Sequence, residues 1–419
     1  YAAVQAYAAD VAGTALVYDS SAYPYFFIDT NADGEVTEGE AIYPNAFSSW
    51  TPRLLQAAYN YQVSLKDPGA FAHGGKYIIQ LLYDSIEDLD AGLVEGLNRD
   101  DHGHFMGSAE AFRHWDEDGA VEGSCSRCHS ASGLPLYLTE GVEITQPISN
   151  GFQCETCHGG EEWPELFTVS SVTFPSGASV SVGADDNSGL CMSCHQGRSS
   201  TASVDKAVDG IGANQVSEDI RFINIHYFAA GASRYGTEVQ GGYEFAGKTY
   251  VGYFPHTGGF ETCTDCHDAH ELEVKTDNCF TCHAGAEEVK DIRISEVDYD
   301  GDGDVEEGIY GEIATLKDAL YAAMQAYAAD TVGAPILFGP HAYPYFFNDT
   351  DGDGEVGPGE AIYPNGYGSW TPNLLKAAYN LQYASKDPGG FAHNAEYVIQ
   401  LLIDSIQAVG GSTAGYTRP

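Results

Sequence analysis

Methionine and positive charge are the scarce features of this sequence. Three methionines occur among 419 residues, and 18 lysines and arginines face 61 aspartates and glutamates, for a formal charge of −43. So acidic a surface repels phosphate backbones and anionic lipid, which excludes nucleic acid and acidic membrane surfaces as partners and makes cations the natural counterparts. No apolar run reaches the length of a membrane span. The opening residues, "YAAVQAYAAD", lack the basic start and the cleavage site of a signal peptide, so the chain reads as a soluble, processed form. Cysteine is absent outside a single pattern. The remainder, 43% apolar with 12% aromatics, has the composition of folded matter.

All ten cysteines fall in five Cys-x-x-Cys-His units: "CSRCH" at 125, "CETCH" at 154, "CMSCH" at 191, "CTDCH" at 263 and "CFTCH" at 279. A c-type haem has two vinyl groups that become thioethers, so it needs two thiols on one helical turn and an imidazole directly after them to reach the iron. Neither disulfides nor zinc would require a histidine after every second cysteine. The reading is five c-type haems. Cys125, Cys128, Cys154, Cys157, Cys191, Cys194, Cys263, Cys266, Cys279 and Cys282 bind them covalently, and His129, His158, His195, His267 and His283 are proximal iron ligands.

Nine histidines remain for five sixth positions. Met192 lies inside an attachment unit and Met324 in a helical repeat, so methionine is a poor general ligand and bis-histidine iron is expected. Such iron is six-coordinate and leaves no position for a substrate, which suits electron transfer. His226 and His256 have apolar or aromatic neighbours in sequence, and His104 and His114 precede the first unit. His270 follows His267 by three residues, which span only about 10 Å when extended, too little to round a porphyrin; it is expected to serve a different haem. His73 and His393 complete the distal candidates. His102 and His341 have the least support.

Residues 1–92 recur at 321–412, bracketing the haem segment: "QAYAAD", "GEAIYPN" and "KDPG" all return 320 positions later. Each copy reads as mostly helical, with apolar residues at spacings of three and four in "LLQAAYNYQVSL" and "YIIQLLYDSIEDL". Each also holds a twelve-residue stretch, "DTNADGEVTEGE" or "DTDGDGEVGPGE", that matches an EF-hand calcium loop. Asp29, Asn31, Asp33 and Glu40, with the Glu35 carbonyl, are one expected ligand set. Asp349, Asp351, Asp353 and Glu360, with the Glu355 carbonyl, are the other. A third loop, "DYDGDGDVEEGI", offers Asp298, Asp300, Asp302 and Asp304 but ends in Ile309 instead of a carboxylate.

The expected fold is mainly α, with an irregular haem-packed core and a few short β-hairpins, flanked by the duplicated helical EF-hand-like modules. The domains are 1–95, a pentahaem segment 96–290, and 291–419. Hairpins are expected in "TVSSVTFPSGASVSV" and "TEVQGGYEFAGKTYVGYF", which alternate about glycine-containing turns.

"FRHWDEDG", "NIHYFAAGA" and "FPHTGGFETCTDCHDAH" resemble stretches of multihaem c-type cytochromes of metal-respiring and related anaerobic microbes, and "FAHN" is similar to a His-Asn helix start found in several of them. The resemblance implies electron transfer through bis-histidine haems outside the cytoplasmic membrane, at the cell surface or beyond it, or in the periplasm. Haem attachment there implies that an export signal preceded Tyr1. Redox proteins or extracellular acceptors would be its partners, and some members polymerise. If His73 and His393 both bind iron, one of them across a subunit boundary, a head-to-tail filament results. A multihaem oxidoreductase of the nitrite- or hydroxylamine-processing type is the alternative. Pentahaem nitrite reductases usually mark their open haem with lysine in place of the unit's histidine, and no CxxCK occurs here. Calcium-dependent adhesion is a third reading, and it leaves the haems without a purpose.

Overall fold

The helices begin where the sequence provides caps. Thr51 and Thr371 each accept the amide proton of the residue three positions on, Leu54 and Leu374, at 3.2 Å, and proline follows at the first helical position. That pairing satisfies an otherwise orphaned donor and presets the backbone. The computed structural model describes residues 1–37, 39–97, 99, 109–159, 163–183, 186–226 and 228–419, with the backbone alone at 71 and 72. The fold is mainly helical, with short two-stranded antiparallel sheets.

Two units divide the chain: residues 1–156 with 269–272, and residues 157–268 with 273–419. In the first unit, the N-terminal module runs helix Ala2–Asp10, a hairpin pairing Leu16–Tyr18 with Phe26–Ile28, a 3-10 turn Tyr43–Asn45, and helices Pro52–Lys66 and Ala70–Leu89. Its small core joins Val4, Ala8, Leu16, Phe26, Phe47 and Leu54. In the second unit the same series recurs: helix Ile309–Tyr327, the hairpin Ile336–Phe338 with Phe346–Asn348, and helices Pro372–Lys386 and Gly390–Ala408. Here the core is far larger. Leu375, Tyr379, Tyr383 and Leu401 pack with Val204, Ile220, Ile225 and Ala232 of the haem segment.

The two copies therefore share a pattern but not an environment. Leu375 and Tyr379 are fully buried, whereas their counterparts Leu55 and Tyr59 are 52% and 66% exposed. Each fully buried aliphatic or aromatic side chain contributes about 1.5–3 kcal/mol relative to exposure.

The first expected hairpin forms, with Ser171–Thr173 against Ser179–Ser181. The second does not; residues 237–254 contain no strand among the described residues. Apart from a few internal bonds such as Thr237 N to the Val251 carbonyl at 3.0 Å, their backbone groups are taken by side chains of the C-terminal module. Asn380 pairs with both the N–H and the carbonyl of Tyr243, Gln400 accepts from Val251 N at 2.9 Å, and Tyr379 donates to the Gly241 carbonyl at 2.7 Å. The two duplicated acidic loops, 29–40 and 349–360, also lack the paired helices of an EF-hand: a hairpin strand precedes each and a 3-10 turn follows, whereas the third runs directly into the helix Ile309–Tyr327.

Candidate haem centres and cation loops

None of the ten cysteines forms a disulfide. Short helices hold both cysteines of three units, in Gly123–His129, Cys154–Cys157 and Cys263–Cys266, and the first cysteine of the other two, in Ser188–Met192 and Thr276–Phe280, with Cys194 and Cys282 in the turns that follow. A helical turn sets residues three apart on one face, as two thioethers to a single ring require. The Cys191 and Cys263 sulfurs lie in hydrogen-bonding contact, bringing two attachment units side by side. Sharing a hydrogen pushes Cys191 up and brings Cys263 down to about 6; thioether formation would remove both from titration.

The imidazoles are fixed through one nitrogen. His129 Nδ1 donates to the Ala111 carbonyl at 2.9 Å, His195 Nδ1 to Phe228 at 3.0 Å, and His158 Nδ1 to Pro164. His256 Nδ1 donates to the Thr257 carbonyl at 3.0 Å. A carbonyl only accepts, so the proton sits on Nδ1 and the lone pair on Nε2, the tautomer that serves an iron. His195 is solvent-accessible although protein surrounds it on most sides, as for a side chain on the wall of a crevice. Burial holds its pKa below the ordinary value, against the Phe228 carbonyl.

Two proximal rings face distal candidates. His267 and His393 have ring centres 6.3 Å apart, and His283 and His256 are 6.4 Å apart. Two metal–nitrogen bonds of about 2 Å, plus about 1.1 Å from each nitrogen to its ring centre, separate an axial pair by roughly 6.2 Å. The residues fit bis-histidine haem. His393 arrives from the Gly390–Ala408 helix, and it sits against Gly389, where a Cβ would lie 2.6 Å from its Cε1. The next residue, Asn394, is extended, and its Oδ1 accepts from Tyr397 N at 3.2 Å, so it caps the longer helical segment. Of the three methionines, Met192 and Met324 are core residues and Met106 lies outside the described residues.

His393 has the one anchor among these that combines a side chain with burial. Its Nδ1 donates to both oxygens of Asp387, at 2.8 and 3.1 Å, with the carboxylate 2% exposed. Burial disfavours the charged imidazole, but the Asp387 carboxylate outweighs it and holds the pKa of His393 above its ordinary value. Burial likewise opposes the ionised Asp387, and His393 outweighs that in turn, keeping the carboxyl low. His267 is held low by burial and by neighbouring His393. In the N-terminal copy, His73 donates to Asp67 at 2.9 Å, but its side chain is 70% exposed against 23% for His393.

The other candidates are placed singly. His226 lies in a left-handed turn, φ 75°, two residues before the Phe228 carbonyl that anchors His195. His270 sits in the turn joining the strands His267–Asp268 and Glu273–Val274. His114 Nδ1 donates to Glu110 at 2.9 Å, and His341 is exposed. His102 and His104 lie outside the described residues.

All three acidic loops fold alike. Asp29, Asp349 and Asp298 each accept two backbone amide protons from their own loop, the second from the glycine at position six. Glu40 and Glu360 close the first two by accepting from the amides of Thr30 and Thr350 at 2.7 and 2.8 Å. Hydrogen bonds from Thr37 and Thr30 hold Glu40 down to about 2. Asp349, Asp351 and Glu360 present oxygens within 4.8 Å of one another. In the third loop, Glu312 accepts from the amides of Tyr299 and Asp300 at 2.9 and 2.8 Å. It was invisible to a twelve-residue pattern because it lies one helical turn past Ile309. The only available signal was a glutamate on the same helix face, three positions on.

The five Cys-x-x-Cys-His units and the paired imidazoles are the arrangement a multihaem c-type cytochrome requires. Comparison with curated proteins agrees. The chain is 28% identical to the C-type polyheme cytochrome OmcB of Geobacter sulfurreducens over 371 residues, 72% of this chain and 46% of that protein. It is 27% identical to OmcC of the same species over 472 aligned positions, 93% of this chain and 57% of the relative. The multiheme cytochrome MtrA of Shewanella baltica is 26% identical over 182 residues, 38% of this chain and 52% of that protein. The chain thus spans about half the length of the curated relatives it matches. No family model matches, and no solved structure does. OmcB and OmcC are C-type polyhaem cytochromes and MtrA a multihaem cytochrome, and this chain is related to them.

Proposed function

We propose that the chain is an electron conduit carrying five c-type haems, each closed by histidine on both sides, working at the cell surface or outside the cell. The observation that carries the reading is the spacing of two proximal–distal pairs, His267 with His393 and His283 with His256, at the separation of an axial pair. Bound haem iron supplies one-electron chemistry. The chain orients the imidazoles of His129, His158, His195, His256 and His393 through Nδ1, excludes a substrate by occupying the sixth position, and sets the attachment units of Cys191 and Cys263 side by side. No helix among the described residues is long and apolar enough to cross a membrane.

The exposed face of the N-terminal module, with His73, Leu55 and Tyr59, supports self-association in which His73 serves an iron of a neighbouring copy; repetition of such a contact gives a head-to-tail filament. The loops 29–40 and 349–360 bind Ca²⁺ through hard oxygen ligands. Pyridine haemochrome analysis of purified protein should give five equivalents per chain, and electron paramagnetic resonance of the ferric form should show low-spin iron throughout. One high-spin equivalent in five would favour the reductase alternative. Electron microscopy of native material tests the filament.

A further inference from the structure

We propose that residues 298–312 hold a third Ca²⁺ site, in which Glu307 and Glu312 supply the carboxylates that Ile309 cannot. It stands apart from the conduit reading and from the other two loops.

Two overlapping triads share Asp300. Asp298, Asp300 and Glu312 present oxygens within 4.8 Å of one another, and so do Asp300, Asp302 and Glu307. Oxygens bound to one Ca²⁺ at about 2.3–2.6 Å lie within roughly 5 Å of each other, so either triad is compact enough to share an ion. The backbone of the loop turns as the first loop does: Asp300 Oδ1 accepts from Asp302 N at 3.1 Å, and Asp302 Oδ1 from Asp304 N at 2.7 Å. These repeat the turn contacts of Asn31 and Asp33 in the first loop.

Asp300 is the independent indication of a ligand. It is 4% exposed, and its Oδ2 is enclosed without a hydrogen-bond partner. Glu307 Oε1 is in the same condition. Its other carboxylate oxygen presses on the first turn of the Ile309–Tyr327 helix, where a Cβ at Gly311 would collide with it. Buried anionic oxygens left unpaired are destabilising, and a divalent ion among them removes that cost. Arg293 does not substitute for it. Its Nη2 lies 2.6 Å from Glu312 Oε1, one positive charge among five carboxylates, and serves to hold Glu312 in place. The ion would fasten the connecting loop to the helix that follows it.

The test is a Ca²⁺ titration of the haem-loaded full-length chain in high salt, which screens diffuse binding to the acidic surface. Wild type should take up three saturable equivalents, and Glu40→Gln with Glu360→Gln should leave one. Adding Asp300→Asn, or separately Glu307→Gln, should abolish that last equivalent with haem absorption unchanged. Asp300→Asn removes a buried charge, so the calcium-free variant should fold at least as well as its parent. The proposal is overturned if the Glu40/Glu360 variant has no saturable site, or if both further substitutions leave its site intact. Two equivalents in wild type and none in the Glu40/Glu360 variant would sink the third site alone; one equivalent in each would sink the other two loops alone.

Discussion

Asn380 holds Tyr243 by both of its backbone groups: the Asn380 carbonyl oxygen accepts from Tyr243 N at 2.7 Å and the amide nitrogen donates to Tyr243 O at 3.0 Å. One side chain thus replaces a neighbouring strand. Asn380→Ala should leave both groups buried and unpaired, at about 1–3 kcal/mol each. Chemical denaturation of the haem-loaded protein should show the loss, and Asn60→Ala, at the matching position of the other copy, should show much less.

The duplication supplies its own control for packing. Leu375→Ala should destabilise by about 2–5 kcal/mol, since it opens a cavity in a closed core. Leu55→Ala should stay within about 0.5 kcal/mol for the isolated chain, because that side chain is half exposed. Equal losses would mean that the N-terminal face is covered in the isolated chain.

Removing a distal ring should expose one iron and no more. His393→Ala and His256→Ala are each expected to convert one haem equivalent to the high-spin form, and the double variant two, read by electron paramagnetic resonance. Low-spin spectra in both single variants would reassign the pairs.

A carboxylate on a ligand's second nitrogen makes the imidazole more electron-rich, which favours the oxidised metal. Asp387→Asn should therefore raise the midpoint potential of one haem in a spectroelectrochemical titration and leave the rest where they were. A uniform shift would point to a structural effect instead.

Assembly should depend on the exposed copy. His73→Ala, or Leu55→Asp with Tyr59→Asp, should abolish particles larger than one chain in light scattering and microscopy. The haem spectrum of the single chain should not change. Persistence of assemblies in both variants would remove the N-terminal module from the contact.

Local chemistry was legible in the sequence, and long-range pairing was not. The attachment units, both glutamate-closed loops and the capped helices at Thr51 and Thr371 are written within a dozen residues each. The partnership of His267 with His393 spans two distant segments, and nothing in either stretch names the other. The residues 237–254 alternate like a hairpin, yet the side chains of Asn380 and Gln400 outcompete a partner strand for their backbone groups. Glu312 escaped because a fixed loop length hides a ligand displaced by one turn of helix. The unlike burial of the two copies is a tertiary fact that their shared motifs do not express.

The anchors beneath the imidazoles differ in how they can change over generations. Main-chain carbonyls, which position His129, His158, His195 and His256, survive any codon change at their own residues except one that bends the chain. Asp387 has no such protection: a single nucleotide can turn it into asparagine. The ring of His393 is thus the member of the series most readily retuned by drift or by design, with the path of the polypeptide left as it is.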